Sequence, residues 1–247
     1  MSFPFNEISF NRRAVQPVEC IKGGWELFRS QYWLFVGMTA VGIIIGSLVP
    51  LGILMGPMMC GIYIALFKAR RGQPIEFGLL FKGFDFFGDA VVAALIHMVP
   101  ILVIVLPAYV LFYVGMIGLM AASNGQPDPG AVFGLLGMFA IFWFVILIAV
   151  IVLSVIFTFA YPLIVDRRLS GINAVKLSIR AGFANFWRLL GMLVLTGTLT
   201  FVGALFCYVG AFFVMPIGFA AIAVAYEQVF GLGEVQPNVP PPPPLFT

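Results

Sequence analysis

Six long apolar stretches, none with a charged residue near its centre, constrain this chain more than any other feature. They cover residues 33–49, 51–67, 90–120, 132–165, 189–208 and 211–226. A helix needs about 20 apolar residues to cross the roughly 30 Å hydrocarbon core of a bilayer. Apolar residues make up 62% of the chain and charged residues 9%, against about 45–50% and about 25% in soluble domains. The sequence therefore predicts an all-α, polytopic membrane protein with six transmembrane helices.

The positions of the cationic residues predict the orientation of these helices. The 13 Lys and Arg residues are Arg12, Arg13, Lys22, Arg29, Lys68, Arg70, Arg71, Lys82, Arg167, Arg168, Lys176, Arg180 and Arg188. They fall before the first stretch, between the second and third, or between the fourth and fifth. Six crossings place all of them on one face, and Lys and Arg are retained on the cytoplasmic side. We therefore predict three hairpins, with the N- and C-termini both cytoplasmic.

An amphipathic segment with aromatic residues precedes each predicted hairpin. The apolar positions are Val18, Ile21, Trp25 and Phe28 in the first segment, Phe77, Leu80, Phe81, Phe84 and Phe87 in the second, and Ile172, Val175, Ile179, Phe183 and Phe186 in the third. Basic amphipathic helices of this kind lie in the headgroup plane of a membrane. We predict an interfacial helix at the start of each hairpin.

The first and third units form a pseudo-repeat. Residues 31–38 match residues 185–192 at a constant offset, with Trp, Gly and Met identical. After a five-residue slip the matched pairs are Pro57 with Pro216, Phe67 with Tyr226 and Gly72 with Gly231. Internal repetition of this kind predicts a repeated architecture.

The composition changes abruptly after Gly231. We predict a single transmembrane domain over residues 1–230 and a proline-rich cytoplasmic tail over residues 231–247. The tail ends in Pro240, Pro241, Pro242, Pro243, Pro244, Leu245, Phe246 and Thr247. A proline run adopts an extended polyproline helix that aromatic grooves recognise. The segment from Pro240 to Phe246 is therefore a predicted partner-binding site, and a disordered end is the alternative.

Residues suited to catalysis or metal binding are scarce. A single histidine excludes most catalytic triads and multi-histidine metal sites. Three widely spaced cysteines without a CxxC pair support no disulfide framework. No phosphate-binding glycine motif occurs, and no apolar stretch has the central charge that ion-coupled transporters use. We therefore expect no enzymatic activity, no catalytic residues, no metal and no cofactor.

Two groups of residues remain as candidate sites. His97 lies within the third stretch, where its imidazole either ligates a porphyrin or chlorin metal or bonds a carbonyl that Pro100 loosens. The other group follows the fourth stretch and consists of Arg167, Arg168, Lys176 and Arg180. These cations either anchor the chain at the interface or bind lipid headgroups.

Two passages resemble a known family. They are RGQPIEFGLLFKGF at residues 71–84 and YPLIVDRRLSGINAVKLSIR at residues 161–180, with NFWR following at residues 185–188. They resemble a large group of uncharacterised bacterial inner-membrane proteins similar to the membrane-anchor domain of some glycerophosphodiester phosphodiesterases. The resemblance covers residues 15–231 and implies a six-helix bundle in the bacterial inner membrane. It implies no activity, because those enzymes do their chemistry in a separate soluble barrel of about 250 residues.

The leading functional prediction is a non-enzymatic membrane subunit that acts as a scaffold or accessory component of a larger membrane assembly. It follows from the missing catalytic groups, the glycine- and aromatic-rich stretches and the tail. The expected partners are membrane lipids and other integral membrane proteins, with no nucleic acid. A lipid-handling or uncoupled export protein is the first alternative, and a pigment- or haem-binding subunit that uses His97 is the second.

Overall fold

The computed structural model describes residues 10–49, 52–123, 126, 128–205 and 209–232. The chain is 87% helical and has no strand among these residues, which confirms the all-α prediction. The helices are α1 (Pro17–Phe28), α2 (Tyr32–Leu48), α3 (Met55–Arg70), α4 (Phe87–Ala122), α5 (Pro129–Phe157), α6 (Ala160–Arg167), α7 (Gly171–Ala184), α8 (Phe186–Ala204) and α9 (Val209–Phe230). A short 3₁₀ turn, Arg29–Gln31, joins α1 to α2, and a longer one, Phe77–Phe86, leads into α4. We call Phe77–Phe86 the 3₁₀ segment.

Five helical stretches among the described residues are long and apolar enough to cross a membrane, as a multi-pass membrane protein requires. They are Pro17–Leu48, Phe77–Ala122, Pro129–Arg167, Phe186–Ala204 and Gly210–Phe230. The second predicted crossing corresponds to α3, whose 16 residues rise about 24 Å, less than the roughly 30 Å of hydrocarbon. The sixth crossing is therefore not confirmed and stays a prediction.

Helix α3 is the centre of the packing although it is short. Ten of its 16 residues are buried, and it contacts α2, the 3₁₀ segment, α4, α6 and α9. A side chain at Gly61 would overlap the backbone of Leu80, and one at Gly83 would overlap the carbonyl of Pro57. These two glycines therefore let the 3₁₀ segment lie directly on α3.

The three predicted amphipathic segments bury small residues together with Phe28, Leu79, Leu80, Val175 and Leu177, and they expose most of their other aromatic residues. The buried residues include Cys20 and Gly24 in α1, Gly83 in the 3₁₀ segment, and Ala174, Ser178, Ala181 and Gly182 in α7. The exposed residues include Trp25, Phe77, Phe81, Phe84 and Phe183. Small residues allow backbones to approach closely, and aromatic side chains suit the membrane interface. That these segments are interfacial helices stays a prediction.

Helix α1 differs from this expectation in its position. It packs lengthwise and antiparallel against α9. The backbone amide of Gln16 donates to Oε1 of Gln228 at 2.9 Å, and the Tyr32 hydroxyl donates to the Phe213 carbonyl at 3.0 Å. Between these two bonds, Gly24 lies against the backbone of Ala221. A separate interfacial helix before the first hairpin is therefore not confirmed.

Helices α4 and α5 form a hairpin that extends away from the other helices. The 36 residues of α4 rise about 54 Å, and the helix continues through Pro100 and Pro107. We call residues 98–123, 126 and 128–151 the arm, and the remaining described residues the body. Ala108 and Ile146 are the only buried residues of the arm. Most of its large apolar side chains are exposed.

The fourth apolar stretch, predicted as one crossing, contains a break. Helix α5 ends at Phe157 and α6 begins at Ala160. Ser178 of α7 bridges the break, because its hydroxyl donates to the Ile156 carbonyl at 2.7 Å and accepts from the Phe159 amide at 3.1 Å. A side chain from a third helix thus satisfies backbone groups that the break leaves without helical partners.

Candidate functional site

Ionic contacts gather where the C-terminal ends of α3, α6 and α9 meet, which we call the polar end of the body. The Asp166 side chain is 0% exposed, and its carboxylate lies 2.9 Å from Nη2 of Arg71 and 3.4 Å from Nε of Arg167. The Tyr226 hydroxyl donates to the same carboxylate at 2.9 Å. A buried carboxylate with these partners holds three helix ends together.

A second ion pair at the polar end joins α3 to α9. Arg70 donates from Nε to Oε2 of Glu227 at 2.7 Å and from Nη2 to Oε1 at 3.2 Å, a two-pronged geometry that fixes both side chains. Arg167 donates to the carbonyls of Phe230 and Gly231 at the end of α9. Arg167, one of the four predicted headgroup ligands, is therefore engaged within the protein.

Asn185 holds the N-terminal segment against the polar end. Its Oδ1 accepts from the Ala14 amide at 3.0 Å, and its Nδ2 donates to the carbonyls of Ala181 and Asn11. Arg188 donates to the Val15 carbonyl at 3.2 Å. The NFWR passage at residues 185–188 therefore has a structural role that its local sequence did not indicate.

Asp89 at the start of α4 caps α7. Its Oδ1 accepts from the Gly171 amide at 2.9 Å, whereas the preceding residue, Ser170, provides no side-chain cap. A carboxylate at a helix N-terminus satisfies a free amide and interacts favourably with the helix dipole. Asp89 thus fixes the position of α7 relative to α4.

The other three predicted headgroup residues, Arg168, Lys176 and Arg180, are exposed. None of them forms an ion pair with an acidic side chain among the described residues. Lys176 and Arg180 stand one turn apart on α7, and Ile172 and Phe183 are exposed on the same helix. We call these four residues of α7 the basic face; cations beside apolar side chains are typical of a helix at an anionic membrane surface.

A cavity of about 700 Å³ opens between α5 and α8. Its wall includes residues of α2, α3, α5, α8 and α9, such as Ile43, Met59, Ile151, Leu193 and Phe219. No charged residue lines it. We call it the lateral cavity, because it is open between these helices and its lining residues Ile151, Val194 and Gly197 are exposed.

The hydroxyl groups in the lateral cavity have partners within their own helices. Ser154 donates to the Val150 carbonyl at 2.8 Å, Thr196 to Met192 at 3.0 Å, and Thr200 to Thr196 at 2.9 Å. Since these donors are satisfied, the cavity presents an apolar wall to an occupant. An apolar wall of this kind offers contact area but few hydrogen-bond partners.

His97 lies at the base of the arm and is partly buried. Its ring stacks on Phe157, with centroids 4.7 Å apart and an angle of 16° between the planes. No cluster of three or more His, Cys, Asp or Glu side chains able to hold a metal ion occurs in the described residues. The predicted partner-binding segment from Pro240 to Phe246 lies outside those residues.

Comparisons of the chain with protein families, with curated proteins and with solved structures find no match. The resemblance to the membrane-anchor domain of glycerophosphodiester phosphodiesterases therefore stays a prediction from the sequence passages that suggested it.

Proposed function

We propose that this protein is a non-enzymatic scaffold or accessory subunit of a larger membrane protein assembly, in which the arm packs against another integral membrane protein. The observation that carries this proposal is the contrast between the packed body and the exposed arm. In the most apolar windows of the two arm-containing stretches and of α8, 17% of the residues are buried, against 44% in α9. Among the described residues of the arm, only Ala108 and Ile146 are buried. The arm is helical, apolar and extended, and these properties suit a docking element.

An aromatic cluster on the arm supports a protein partner. Phe112 stacks on Phe139 with centroids 3.9 Å apart, and Tyr109 packs edge-on against Trp143 at 5.6 Å. Tyr113 is exposed beside them. The hydroxyls of Tyr109 and Tyr113 and the indole N–H of Trp143 have no hydrogen-bond partner among the described residues. In hydrocarbon an unsatisfied polar group is costly, whereas a neighbouring helix can offer acceptors.

Six crossings with both termini in the cytoplasm are the proposed topology, and the contacts of the polar end support it. The N-terminal segment, Arg70 and Arg71, Asp166 and Arg167, and Glu227 meet there. Between these contacts the chain runs away from the polar end and returns to it three times, as three hairpins require. Cations concentrate at this end, so it faces the cytoplasm, and we propose the bacterial inner membrane as the location.

Matched positions support the proposed relation between the first and third units. Gly72 and Gly231 both adopt a positive φ, +66° and +67°, and each follows the end of its helix. Phe67 and Tyr226 pack against each other with centroids 5.4 Å apart. The leading helices differ, because α1 packs on α9 whereas α7 packs on α4, α5 and α6. The two units are therefore related in their hairpins more than in their first helices.

The proposed docking can be tested by replacing glycines on the surface of the arm with a larger residue. Gly118 and Gly134 are exposed, and an added Cβ at either position meets nothing within 4 Å. Gly118→Leu and Gly134→Leu should therefore preserve the fold and obstruct a partner. We expect wild-type membranes, solubilised in mild detergent, to show the protein in a large complex on native gels, and both variants to shift it toward its own mass of 27.0 kDa.

Gly197→Leu on α8 is the matched control, since Gly197 is also exposed, helical and open around its Cβ. It should leave the complex intact. Migration of the wild-type protein alone, or equal complex formation by Gly118→Leu, Gly134→Leu and the wild type, would contradict the proposal.

A further inference from the structure

We propose that the basic face of α7 binds the headgroup of an anionic phospholipid, with the lipid phosphate between Lys176 and Arg180. Ile172 and Phe183 then lie against the apolar part of the lipid layer next to the headgroups. The ligand is a lipid of the membrane that contains the protein. This inference goes beyond scaffolding and does not depend on it, because the basic face is not part of the arm.

The buried face of α7 fixes the direction in which the basic face points. Helix α7 packs on α4, α5 and α6. Its Ser178 bonds to the break between α5 and α6, and its Gly182 lies against the backbone of Ile156. The 3.6 residues per turn of a helix place the four residues of the basic face within about 80° of one another, on the side opposite these contacts. All the cations of α7 therefore point away from the body.

The basic face carries charge of one sign only. Lys176 and Arg180 are exposed, and neither forms an ion pair with an acidic side chain among the described residues. Helix α7 contains no acidic residue, and the sequence has none at positions 167–226. The acid that caps α7, Asp89, accepts the Gly171 amide on the buried side of the helix. An anion is thus the ligand that complements this surface.

The residue types on the basic face favour a phospholipid over a soluble anion. Lys176 and Arg180 stand one turn apart, about 6 Å along the helix axis, so their long side chains can reach one phosphate. Ile172 and Phe183, at the two ends of the same face, are 52% and 61% exposed. A nucleic acid or an acidic protein surface would leave these apolar side chains in water. The boundary between headgroups and acyl chains accommodates both kinds of side chain.

Both ends of α7 are attached to the first turns of helices that belong to membrane-crossing stretches. At its N-terminus, Gly171 bonds to Asp89 in the first turn of α4. At its C-terminus, only Asn185 separates α7 from α8. Helices α4 and α8 belong to stretches able to cross a membrane, and Trp187 in the first turn of α8 is 80% exposed. Tryptophan concentrates at the level of lipid headgroups, which supports a position of α7 at that level.

Helix α1, which leads the first unit as α7 leads the third, has a different exposed surface. Its exposed cation, Lys22, stands between two exposed acids, Glu19 and Glu26, at the helical spacings of three and four residues that bring side chains together. The charges on this surface therefore largely cancel. Lys22 is thus a matched control for the cations of the basic face, since it is also exposed on a leading helix of the body.

Native mass spectrometry of the detergent-purified full chain, mixed with equal amounts of dioleoylphosphatidylglycerol and dioleoylphosphatidylcholine, tests the preference. We expect the wild type to retain phosphatidylglycerol about tenfold more than phosphatidylcholine. The double variant Lys176→Gln with Arg180→Gln should lose most of this preference. The double variant Lys176→Arg with Arg180→Lys keeps both charges and should retain it, as should the control Lys22→Gln. All these substitutions are at exposed positions, so the fold should be preserved.

Hydrogen exchange in lipid nanodiscs shows whether the lipid lies on α7. Nanodiscs of dioleoylphosphatidylcholine alone are compared with nanodiscs that also contain dioleoylphosphatidylglycerol. We expect the α7 amides of the wild type to exchange more slowly when phosphatidylglycerol is present, because a bound headgroup opposes local opening of the helix. The double variant Lys176→Gln with Arg180→Gln should show no such slowing. Salt at 1 M should remove the slowing in the wild type, because charge interactions are then screened within about 3 Å.

Three results would overturn the inference. The first is equal binding of the two lipids by the wild type, and the second is an unchanged preference in the double variant Lys176→Gln with Arg180→Gln. The third is loss of the native-gel complex in that variant with its lipid preference intact, which would assign the basic face to an acidic protein partner. The arm variants Gly118→Leu and Gly134→Leu should keep the wild-type lipid preference, so this inference and the proposed scaffold function can fail separately.

Discussion

The body and the arm are built from similar apolar residues but are held together differently. In the body, glycines bring backbones into contact, as at Gly61 and Gly83, and polar side chains join helices that are distant in sequence. In the arm, two helices meet through aromatic rings, and almost every large side chain also faces outward. The body therefore combines a large buried apolar core with specific glycine and polar contacts, whereas the arm has few buried residues.

This difference reflects how the choice of buried residues changes when the surrounding solvent is lipid rather than water. In water, burial of large apolar side chains provides most of the stabilisation. In hydrocarbon, large side chains gain little by being buried, and close packing of small residues and hydrogen bonds become decisive. Helix α7 follows this rule at its buried Ala, Gly and Ser positions and at the exposed Phe183, whereas the body as a whole also buries large side chains such as Phe28, Phe35 and Phe159.

The largest effect is expected at the buried carboxylate. Asp166→Ala leaves Arg71 and Arg167 without the carboxylate that they share, and removing one partner of a buried ion pair costs about 3–5 kcal/mol. The free energy of unfolding in detergent, followed by tryptophan fluorescence, measures this loss. Asp128→Ala at the start of α5 removes only a helix cap in the arm and should cost about 1 kcal/mol. Similar losses for the two variants would erase the distinction between body and arm.

A glycine substitution should have opposite effects in the two regions. Gly61→Ala places a methyl group against the Leu80 backbone, and such overpacking costs about 1–3 kcal/mol. Gly118→Ala in the arm meets nothing within 4 Å and should stabilise its helix by about 0.5–1 kcal/mol. Thermal unfolding of both variants checks the signs. Destabilisation by Gly118→Ala would show that another surface covers the arm in the purified protein.

Removal of the cap on α7 should have an intermediate effect. Asp89→Ala leaves the Gly171 amide without its acceptor and should destabilise the protein by about 1 kcal/mol, within the range for N-caps. Hydrogen exchange of α7 amides should rise with it. Asp85→Ala, an exposed carboxylate nearby in the 3₁₀ segment, is the control and should change neither measurement.

The smallest effect is expected on the outer surface of the arm. Ile141 is 69% exposed, so Ile141→Ala should change the free energy of unfolding by no more than about 0.5 kcal/mol. A loss above about 2 kcal/mol, typical of a buried Ile→Ala change, would indicate that the purified protein already buries this surface in an oligomer.

The sequence predicted the features that depend on local patterns. The length of the apolar stretches predicted helices in a membrane, and Gly72 and Gly231 were matched before both proved to adopt a positive φ. The exposed cations Lys176 and Arg180 were also identified from their position between apolar stretches. Each of these signals lies within a short window of residues.

The features that the sequence did not predict depend on contacts between distant residues. Asp89 and Gly171 are 82 positions apart, and Ala14 and Asn185 are 171 apart. The break between α5 and α6 falls within a continuous apolar run, and its stabilising partner, Ser178, belongs to another helix. A hydropathy profile carries no information on contacts between residues this far apart in sequence. The lateral cavity likewise results from the assembly of five helices, and none of its lining residues is unusual by itself.

The attachment of the N-terminal segment to the last helices sets the order in which the fold can be completed during synthesis. The backbone amide of Gln16 donates a hydrogen bond to the side chain of Gln228, 212 positions later in the sequence. The face of α1 with Cys20, Gly24 and Phe28 is buried largely by α9. Until α9 has been synthesised, α1 therefore lacks the helix that buries most of this face, and only its contacts with α3 and α8 can form. Chains that stop before α9 expose that face, which gives a membrane protease or chaperone a means of distinguishing unfinished molecules from finished ones.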